Sequence, residues 1–209
     1  MVVRSRSFDS NVIEFPKGDQ VRLERAIQTF DNGNQLPELF QEFKILADKG
    51  LREANYFLGC MCEDGTNGVP KDLQSALRYY EKSIEGFGYI EGYLAAARLL
   101  YHGGDIDQDY ERALRYFEHV ARGNGHPVAC FMLGRMYQHG NGTAKDLKLA
   151  RYWYEKAVAG GSVFGTLNLA MLEAEEGRIL RSLYLRITAG IRAFLISRKE
   201  PRDIRLRGG

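Results

Sequence analysis

The chain has 209 residues, of which 44% are hydrophobic and 27% are charged, close to the composition of soluble globular domains. This composition excludes wholesale disorder, and no run of about twenty uncharged apolar residues indicates a membrane span. The net charge of +2 is unevenly distributed. Residues 178–209 contain nine basic and two acidic residues, a charge of +7, so the rest of the chain carries −5. Because nucleic-acid-binding domains show a basic face across the fold, we expect no nucleic-acid partner.

The N-terminal segment, residues 1–17, shows no helical period and no apolar stretch of a signal peptide. We therefore expect it to be disordered or extended, in a cytoplasmic protein. Residues 18–30 predict a helix capped by Asp19, and residues 36–50 predict a second helix. The units that follow identify residues 18–50 as a degenerate first unit, because terminal repeats are commonly atypical.

A repeated pattern organises residues 51–177. Asp72, Asp109 and Asp146 are 37 residues apart, and each begins a segment with apolar residues at helical spacing, an alanine, an aromatic pair and a closing glycine. Each Asp stands where a helix N-cap is expected, so each segment predicts an amphipathic helix, named helix B. The repeat positions that we expect to be structural are Gly59, Asp72, Ala76, Tyr80, Gly86, Ala97, Asp109, Ala113, Phe117, Gly123, Gly134, Asp146, Ala150, Trp153, Tyr154 and Gly160.

A second pattern precedes each helix B and predicts a helix A that also ends at a glycine. Glycines after both kinds of helix suit the left-handed position that closes a helix. Small residues such as Gly59 and Gly134 let helix A approach helix B closely. One helix pair cannot bury its apolar stripe alone, so the units must stack.

The stretch from Gly65 to Asp72, G-T-N-G-V-P-K-D, followed by Ala76, Tyr79–Tyr80 and Gly86, resembles the Sel-one-like repeat family, a relative of the tetratricopeptide repeat. The second unit departs from the family in its loop. The resemblance implies an all-α, right-handed superhelical solenoid of stacked antiparallel helix pairs. It also implies a non-enzymatic scaffold or adaptor that binds a partner polypeptide in the concave groove, in bacterial signalling or envelope polysaccharide assembly.

Residues 178–198 predict a last helix, with arginines near one face and apolar residues near the other. Two interpretations compete. The helix replaces helix B of the last unit and caps the solenoid with its apolar side, or it docks on an anionic membrane or a partner groove. The second interpretation gives the alternative function of an adaptor peripheral to the inner membrane, tethered by residues 178–209. Residues 199–209 are expected to form a mobile basic tail.

No motif in the chain carries catalytic chemistry. The three cysteines form no C-x-x-C pair, and the four histidines form no H-E-x-x-H sequence. We therefore expect no catalytic residue, no metal site and no cofactor. The register of the A helices instead predicts a protein-binding surface at Asn55, Tyr56, Tyr93, Arg98, Cys130, Arg135 and Thr166.

Overall fold

The computed structural model describes residues 16–33, 37–66, 68–86 and 88–199, without the side chains of residues 124 and 199. Most of the N-terminal segment and of the basic tail lies outside these residues, so both predictions stay untested. Within the described ranges the chain is helical and contains no β-strand. The helices are α1 (Lys17–Asp31), α2 (Pro37–Asp48), α3 (Arg52–Asp64), α4 (Leu73–Ser83), α5 (Ile90–His102), α6 (Tyr110–Asn124), α7 (Pro127–His139), α8 (Leu147–Ala159), α9 (Val163–Glu175) and α10 (Ile179–Lys199).

The helices pack as consecutive pairs, and each pair packs on the next. In each of the pairs α3/α4, α5/α6, α7/α8 and α9/α10, the first member is helix A and the second occupies the position of helix B. The pair α1/α2 precedes them and joins the array through a small aromatic core, where Phe43 stacks on Phe57 with ring centroids 5.1 Å apart. The predicted all-α solenoid of stacked helix pairs is confirmed.

The three repeated aspartates begin helix B in the same way. Their carboxylates accept hydrogen bonds from backbone amides of the first turn, at 3.0 Å for Asp72, 2.9 Å for Asp109 and 2.8 Å for Asp146. Their own amides donate to carbonyl oxygens near the end of the preceding helix A, at 2.8–3.0 Å. Each aspartate therefore satisfies the free amides of one helix and ties that helix to its partner.

Two sequence predictions about helix ends were wrong. Asp19 does not cap α1, which starts after Pro16; the Asp19 carboxylate instead lies 2.5 Å from Nζ of Lys49. The glycines that follow helix B do not share one conformation: Gly86 has φ +75°, but Gly123 is helical and Gly160 has φ −76°. After α6 and α8 a nearby glycine, Gly125 or Gly161, adopts the left-handed conformation instead.

The close approach of helix A to helix B depends on two glycines, as predicted. A Cβ atom on Gly59 would lie 2.5 Å from the ring of Tyr80, and one on Gly134 would lie 2.4 Å from the ring of Tyr154. Both tyrosine hydroxyls then reach helix A and donate hydrogen bonds, to Glu63 at 2.7 Å and to Gln138 at 2.6 Å.

The second repeat solves the same packing problem with different residues. Ala97 replaces the glycine, and the ring below it is Phe117, which needs no hydrogen-bond acceptor. Both side chains are buried. In this unit an alanine and a phenylalanine therefore stand where the other two units have a glycine and a tyrosine.

We predict that Gly134→Ala destabilises the fold by about 1–3 kcal/mol, since the new methyl group overpacks the Tyr154 ring. Adding Tyr154→Phe should recover part of the loss, because the phenyl ring is no longer held by Gln138 and can shift. Urea unfolding followed by circular dichroism measures both. Gly123→Ala, in a helix where the new Cβ meets no atom within 4 Å, is the control and should be neutral or stabilising. An equal loss for Gly123→Ala would contradict the packing argument.

The last helix, α10, packs on α9 as a helix B, but with the opposite face from the one expected. The buried side chains are Ser182, Ala189 and Ile196. The predicted capping face is exposed, and Leu180 is 84% accessible. The prediction that α10 caps the solenoid with its large apolar side was therefore wrong, because small side chains allow the closer approach to α9.

A buried carboxylate anchors the start of α10. Glu173 of α9 is 0% exposed, and its carboxylate pairs with Arg151 of α8 and with Arg178 and Arg181 at the start of α10. Burial opposes ionisation of Glu173, but hydrogen bonds from Arg178 and Arg151 outweigh it, so the pKa of Glu173 lies below its ordinary value. The charged group is compensated, and it joins three helices.

We predict that Glu173→Gln destabilises the protein at pH 7 by about 2 kcal/mol, because paired buried charges lose their partner. A carboxylate with a lowered pKa in the folded state contributes stability above its unfolded pKa, near 4.5, and loses it as pH falls through the folded value. The difference between variant and wild type should therefore shrink below about pH 4 in thermal melts. Glu155→Gln, at a half-exposed carboxylate, is the control with little effect. A pH-independent difference would contradict the role of Glu173.

Candidate partner-binding groove

Three successive A helices, α3, α5 and α7, form the walls of a cleft of about 510 Å³, which we name the A-helix groove. Two rings of the B helices, those of Tyr80 and Phe117, close its floor. Because each unit contributes one helix A, the groove follows from the stacking of the repeats. The other lining residues are Tyr56, Cys60, Glu63, Asp64, Glu91, Leu94, Ala95, Arg98, Val128 and Met132.

An ion pair across two repeats fixes the polar part of the groove. Nη2 of Arg98 on α5 donates to both carboxylate oxygens of Glu63 on α3, at 2.5 and 2.6 Å. The same carboxylate accepts the hydroxyl of Tyr80. Glu63 therefore connects the core contact beneath it with the groove above it, and its position is set before any partner arrives.

Beside this ion pair the groove has an aromatic and thiol wall. Tyr56 packs against the rings of Phe57, Tyr80 and Tyr89, with centroids 5.2–5.7 Å apart. The Sγ atom of Cys60 lies 3.6 Å from the Tyr80 hydroxyl. Burial raises the pKa of the Cys60 thiol to about 11, although hydrogen bonds from Tyr80 and Tyr56 oppose the shift. The wall is uncharged at neutral pH.

Charge changes along the C-terminal ends of the A helices. The α3 end carries Glu63 and Asp64, whereas α5 and α7 carry Arg98 and Arg135. Arg135 lies over the rings of Tyr101 and Phe131 at 5.6 and 5.8 Å, which holds its guanidinium at the surface. Burial and the two nearby arginines lower the pKa of His102. The C-terminal ends of these helices therefore change from acidic at α3 to basic at α7, and the lining of the groove also includes Glu91 of α5.

The structure divides the predicted binding residues into two groups. Tyr56 and Arg98 line the A-helix groove, and Arg135, at the position of α7 equivalent to Arg98, lies over the rings of Tyr101 and Phe131. Cys130 and Thr166 are only 1% and 3% exposed, so they belong to the core and their assignment to a binding surface is corrected.

The remaining two predicted residues face away from the groove. Tyr93 stacks on His119 of α6 with centroids 4.2 Å apart, and Asn55 lines a separate cleft beside Lys44 and Lys82. Asn55, Tyr93, Cys130 and Thr166 occupy equivalent positions in successive units. One residue corresponds to a rotation of 100° on a helix, so this choice directed the predicted surface toward helix B.

Sequence reasoning missed Cys60, Glu63, Leu94 and Val128, which contribute to the groove. The available signal was the spacing of Tyr56, Cys60 and Glu63, at i, i+4 and i+7 on one face of α3. This face of α3 mixes aromatic, thiol and carboxylate side chains. Only the packed structure therefore shows which face of helix A lines the groove.

Two further properties concern only the residues for which side chains are described. Among these residues, no three His, Cys, Asp or Glu side chains lie close enough together to hold a metal ion. In the same part of the chain, no helix combines the length and the apolar character needed to cross a membrane.

We predict that Cys60 reacts slowly with thiol reagents in the folded protein. Its pKa of about 11, against 9.0 for a free thiol, lowers the thiolate fraction at pH 8 by about 100-fold. Labelling with iodoacetamide, read by peptide mass spectrometry with and without urea, measures the difference. Cys60→Ser identifies the signal of this thiol. Labelling of Cys60 at equal rates in both conditions would contradict the predicted protection.

Comparisons with known proteins agree with this architecture. The model of the Sel1 repeat family matches residues 52–86, 90–121 and 127–162, which contain α3 to α8 apart from the last residues of α6. None of the curated proteins compared with the chain matches it in sequence.

Solved structures resemble the chain at low sequence identity. A Sel1 repeat protein from Oxalobacter formigenes is 24% identical, with a TM-score of 0.73 over 84% of this chain and 74% of that chain. The antigen c5321 from uropathogenic Escherichia coli, which displays an SLR fold, is 25% identical over 76% of this chain and 34% of that one, with a TM-score of 0.68. MamA is 14% identical, with a TM-score of 0.60 over 83% of this chain and 96% of that one. Three Sel1 repeats therefore make up most of residues 52–162 of this chain, and the solved structures share its fold of helix pairs.

Proposed function

We propose that the protein is a non-enzymatic scaffold that binds a segment of a partner protein in the A-helix groove. Sel1 repeats commonly serve as protein–protein interaction scaffolds. The observation that supports the proposal is the groove itself, which spans three units and combines half-buried apolar side chains, such as Leu94 and Val128, with a fixed Glu63–Arg98 pair. Apolar walls with a few oriented polar groups are typical of surfaces that bind a peptide segment.

The charges of the groove specify the chemistry of the partner segment. Asp64 lies at the α3 end and Arg135 at the α7 end, while Glu63 and Arg98 neutralise each other between them. A complementary segment therefore carries apolar side chains flanked by a basic residue at one end and an acidic residue at the other. This polarity also gives the segment a direction along the solenoid.

Two parts of the sequence interpretation stay predictions. Participation in bacterial signalling or envelope polysaccharide assembly rests on the family resemblance alone. The alternative function, a peripheral membrane adaptor tethered by residues 178–209, uses a basic surface that is partly neutralised. Arg178 and Arg181 pair with Glu173, Glu176 and Glu155 of the same chain.

We predict that peptides selected from a displayed random library on the full chain lose at least about tenfold in affinity when Leu94→Glu or Arg135→Glu is introduced. The first variant places a charge on the apolar wall, and the second reverses the basic end. Isothermal titration calorimetry measures binding, and circular dichroism checks that each variant is folded. Leu149→Glu, at an exposed position of α8, is the matched control and should bind normally. Binding that survives both groove variants would reject the A-helix groove as the site.

A further inference from the structure

The outer face of α10 carries an exposed apolar surface, which we name the α10 stripe. Its eight side chains are each more than half exposed, although the helix itself is packed on α9. Soluble domains rarely leave a continuous apolar patch of several hundred Å² in water, and such patches mark interaction sites. The stripe consists of Ile179, Leu180, Leu183, Tyr184, Ile187, Ile191, Phe194 and Leu195.

Comparison with the other B helices shows that this surface is specific to α10. Leu180, Tyr184 and Ile187 occupy the outward positions that correspond to Gln74, Arg78 and Glu81 in α4. The corresponding residues in α6 are Glu111, Arg115 and Glu118, and those in α8 are Lys148, Tyr152 and Glu155. The outside of the array is thus mainly polar on three B helices and apolar on the fourth. A helix whose outer face met only water would carry polar residues here.

Part of the stripe continues an interface that the array already uses. Ile179 and Leu183 correspond to Leu73 and Leu77 of α4, which are half-buried in a core that includes residues of α5, the next helix A. In α10 no following helix lies within the described residues. The stripe therefore includes the positions at which one unit contacts the next unit, and it extends beyond them over the outer face of α10.

A glycine within the stripe indicates a helix as the occupant. Gly190 shares one helical face with Leu183, Ile187 and Phe194, and a Cβ atom placed on it would meet no atom within 4 Å. A glycine inside a helix costs about 1 kcal/mol relative to alanine. Among the described residues no contact requires this glycine, whereas a second helix that crosses the middle of α10 closely would. A membrane surface needs no such notch.

The stripe is also symmetric about Ile187. Ile179 and Leu195 lie equally far from this residue, as do Leu180 and Phe194, and Leu183 and Ile191. In an antiparallel pair of identical helices centred on Ile187, residues equally far from the centre meet at the same level. The second copy then brings Leu183 and Tyr184 to the level of Gly190 and Ile191, so that large side chains meet the gap that the glycine leaves.

Charge supports the antiparallel arrangement. The C-terminal end of α10 is basic and carries Arg198, whereas Glu175 precedes its N-terminal end, where Glu176 is already paired with Arg151 and Arg178. Two antiparallel copies bring Arg198 of each copy toward Glu175 of the other. Arg178 and Arg181 are already paired within the chain, so they do not repel the second copy.

We propose that the α10 stripe is a self-association surface on which a second copy of this chain docks its own α10 in antiparallel orientation, with Ile187 at the two-fold axis. The surface is self-complementary, as a two-fold interface requires. Eight large side chains, each more than half exposed, offer apolar surface on the order of the 800 Å² per partner that a stable interface buries. The ten residues after Lys199 include only Ile204 and Leu206 as large apolar residues, too few to cover the stripe themselves.

Light scattering coupled to size exclusion, with the full chain at roughly 1–100 µM, should give twice the monomer mass. Ile187→Glu places two carboxylates on the axis and should weaken the dimer by at least about 100-fold. Gly190→Leu should weaken it by at least about tenfold while leaving the melting temperature of the monomer unchanged or higher. Gly123→Leu and Ile45→Glu are matched controls outside the stripe and should not affect the mass.

Cross-linking tests the orientation. Under mild oxidation Ile187→Cys should form a disulfide with itself, whereas Leu180→Cys should cross-link only when it is mixed with Phe194→Cys. The wild-type chain, whose Cys62 and Cys130 are buried, gives the background. Equal self-cross-linking at positions 180 and 187 would overturn the antiparallel arrangement.

Two further outcomes would overturn the proposal as a whole. One is a chain that stays monomeric at every concentration, or a dimer that Ile187→Glu leaves intact. The other is a monomer that pellets with phosphatidylserine vesicles and loses this binding with Ile187→Glu, which would assign the stripe to a membrane surface. Peptide binding in the A-helix groove is measured separately, so failure of one proposal does not decide the other.

Discussion

The distance between helix A and helix B is the constraint on which this architecture depends. At Gly59 and Gly134 the backbone of helix A lies directly on a tyrosine ring, with no room for a side chain. The aspartates at the start of α4, α6 and α8 then bond back to carbonyl oxygens of helix A. Together these contacts make each unit a rigid pair, so that the stacking of pairs places one helix A beside the next. The groove exists because this spacing repeats.

Core packing and surface chemistry meet in the same residue. Glu63 accepts a hydrogen bond from Tyr80, whose ring packs against Gly59, and it forms an ion pair with Arg98 of the next unit. A side chain that satisfies the buried tyrosine hydroxyl therefore also orders the polar part of the groove. In the second unit Phe117 has no hydroxyl, and the residue equivalent to Glu63 is Tyr101, over which Arg135 lies. The character of the groove thus changes from unit to unit with the ring beneath it.

The two ends of the array differ in physical character. Aromatic stacking between Phe43 and Phe57 joins the first pair to the rest, whereas a buried ion network around Glu173 holds the last helix. Because α10 uses small residues for its inner contact, its large apolar residues remain on the outside. This division gives the helix two apolar faces, one that closes the chain's own core and one that is available to a second molecule. The groove and the stripe therefore serve different contacts.

The sequence by itself determined the fold, since a period of 37 residues with Asp72, Asp109 and Asp146 in register specifies helix starts, helix pairs and their stacking. It also identified Tyr56 and Arg98 among the groove residues. Tertiary structure decided which face of each helix A meets helix B, because residues one position apart differ by 100° and several faces are apolar. For that reason Cys130 and Thr166 are core residues. It likewise decided which side of α10 is buried. The sequence places arginines near one side and large apolar residues near the other, but the arginine side packs on α9, because Ser182 and Ala189 are small and Arg178 and Arg181 pair there with Glu173 and Glu155.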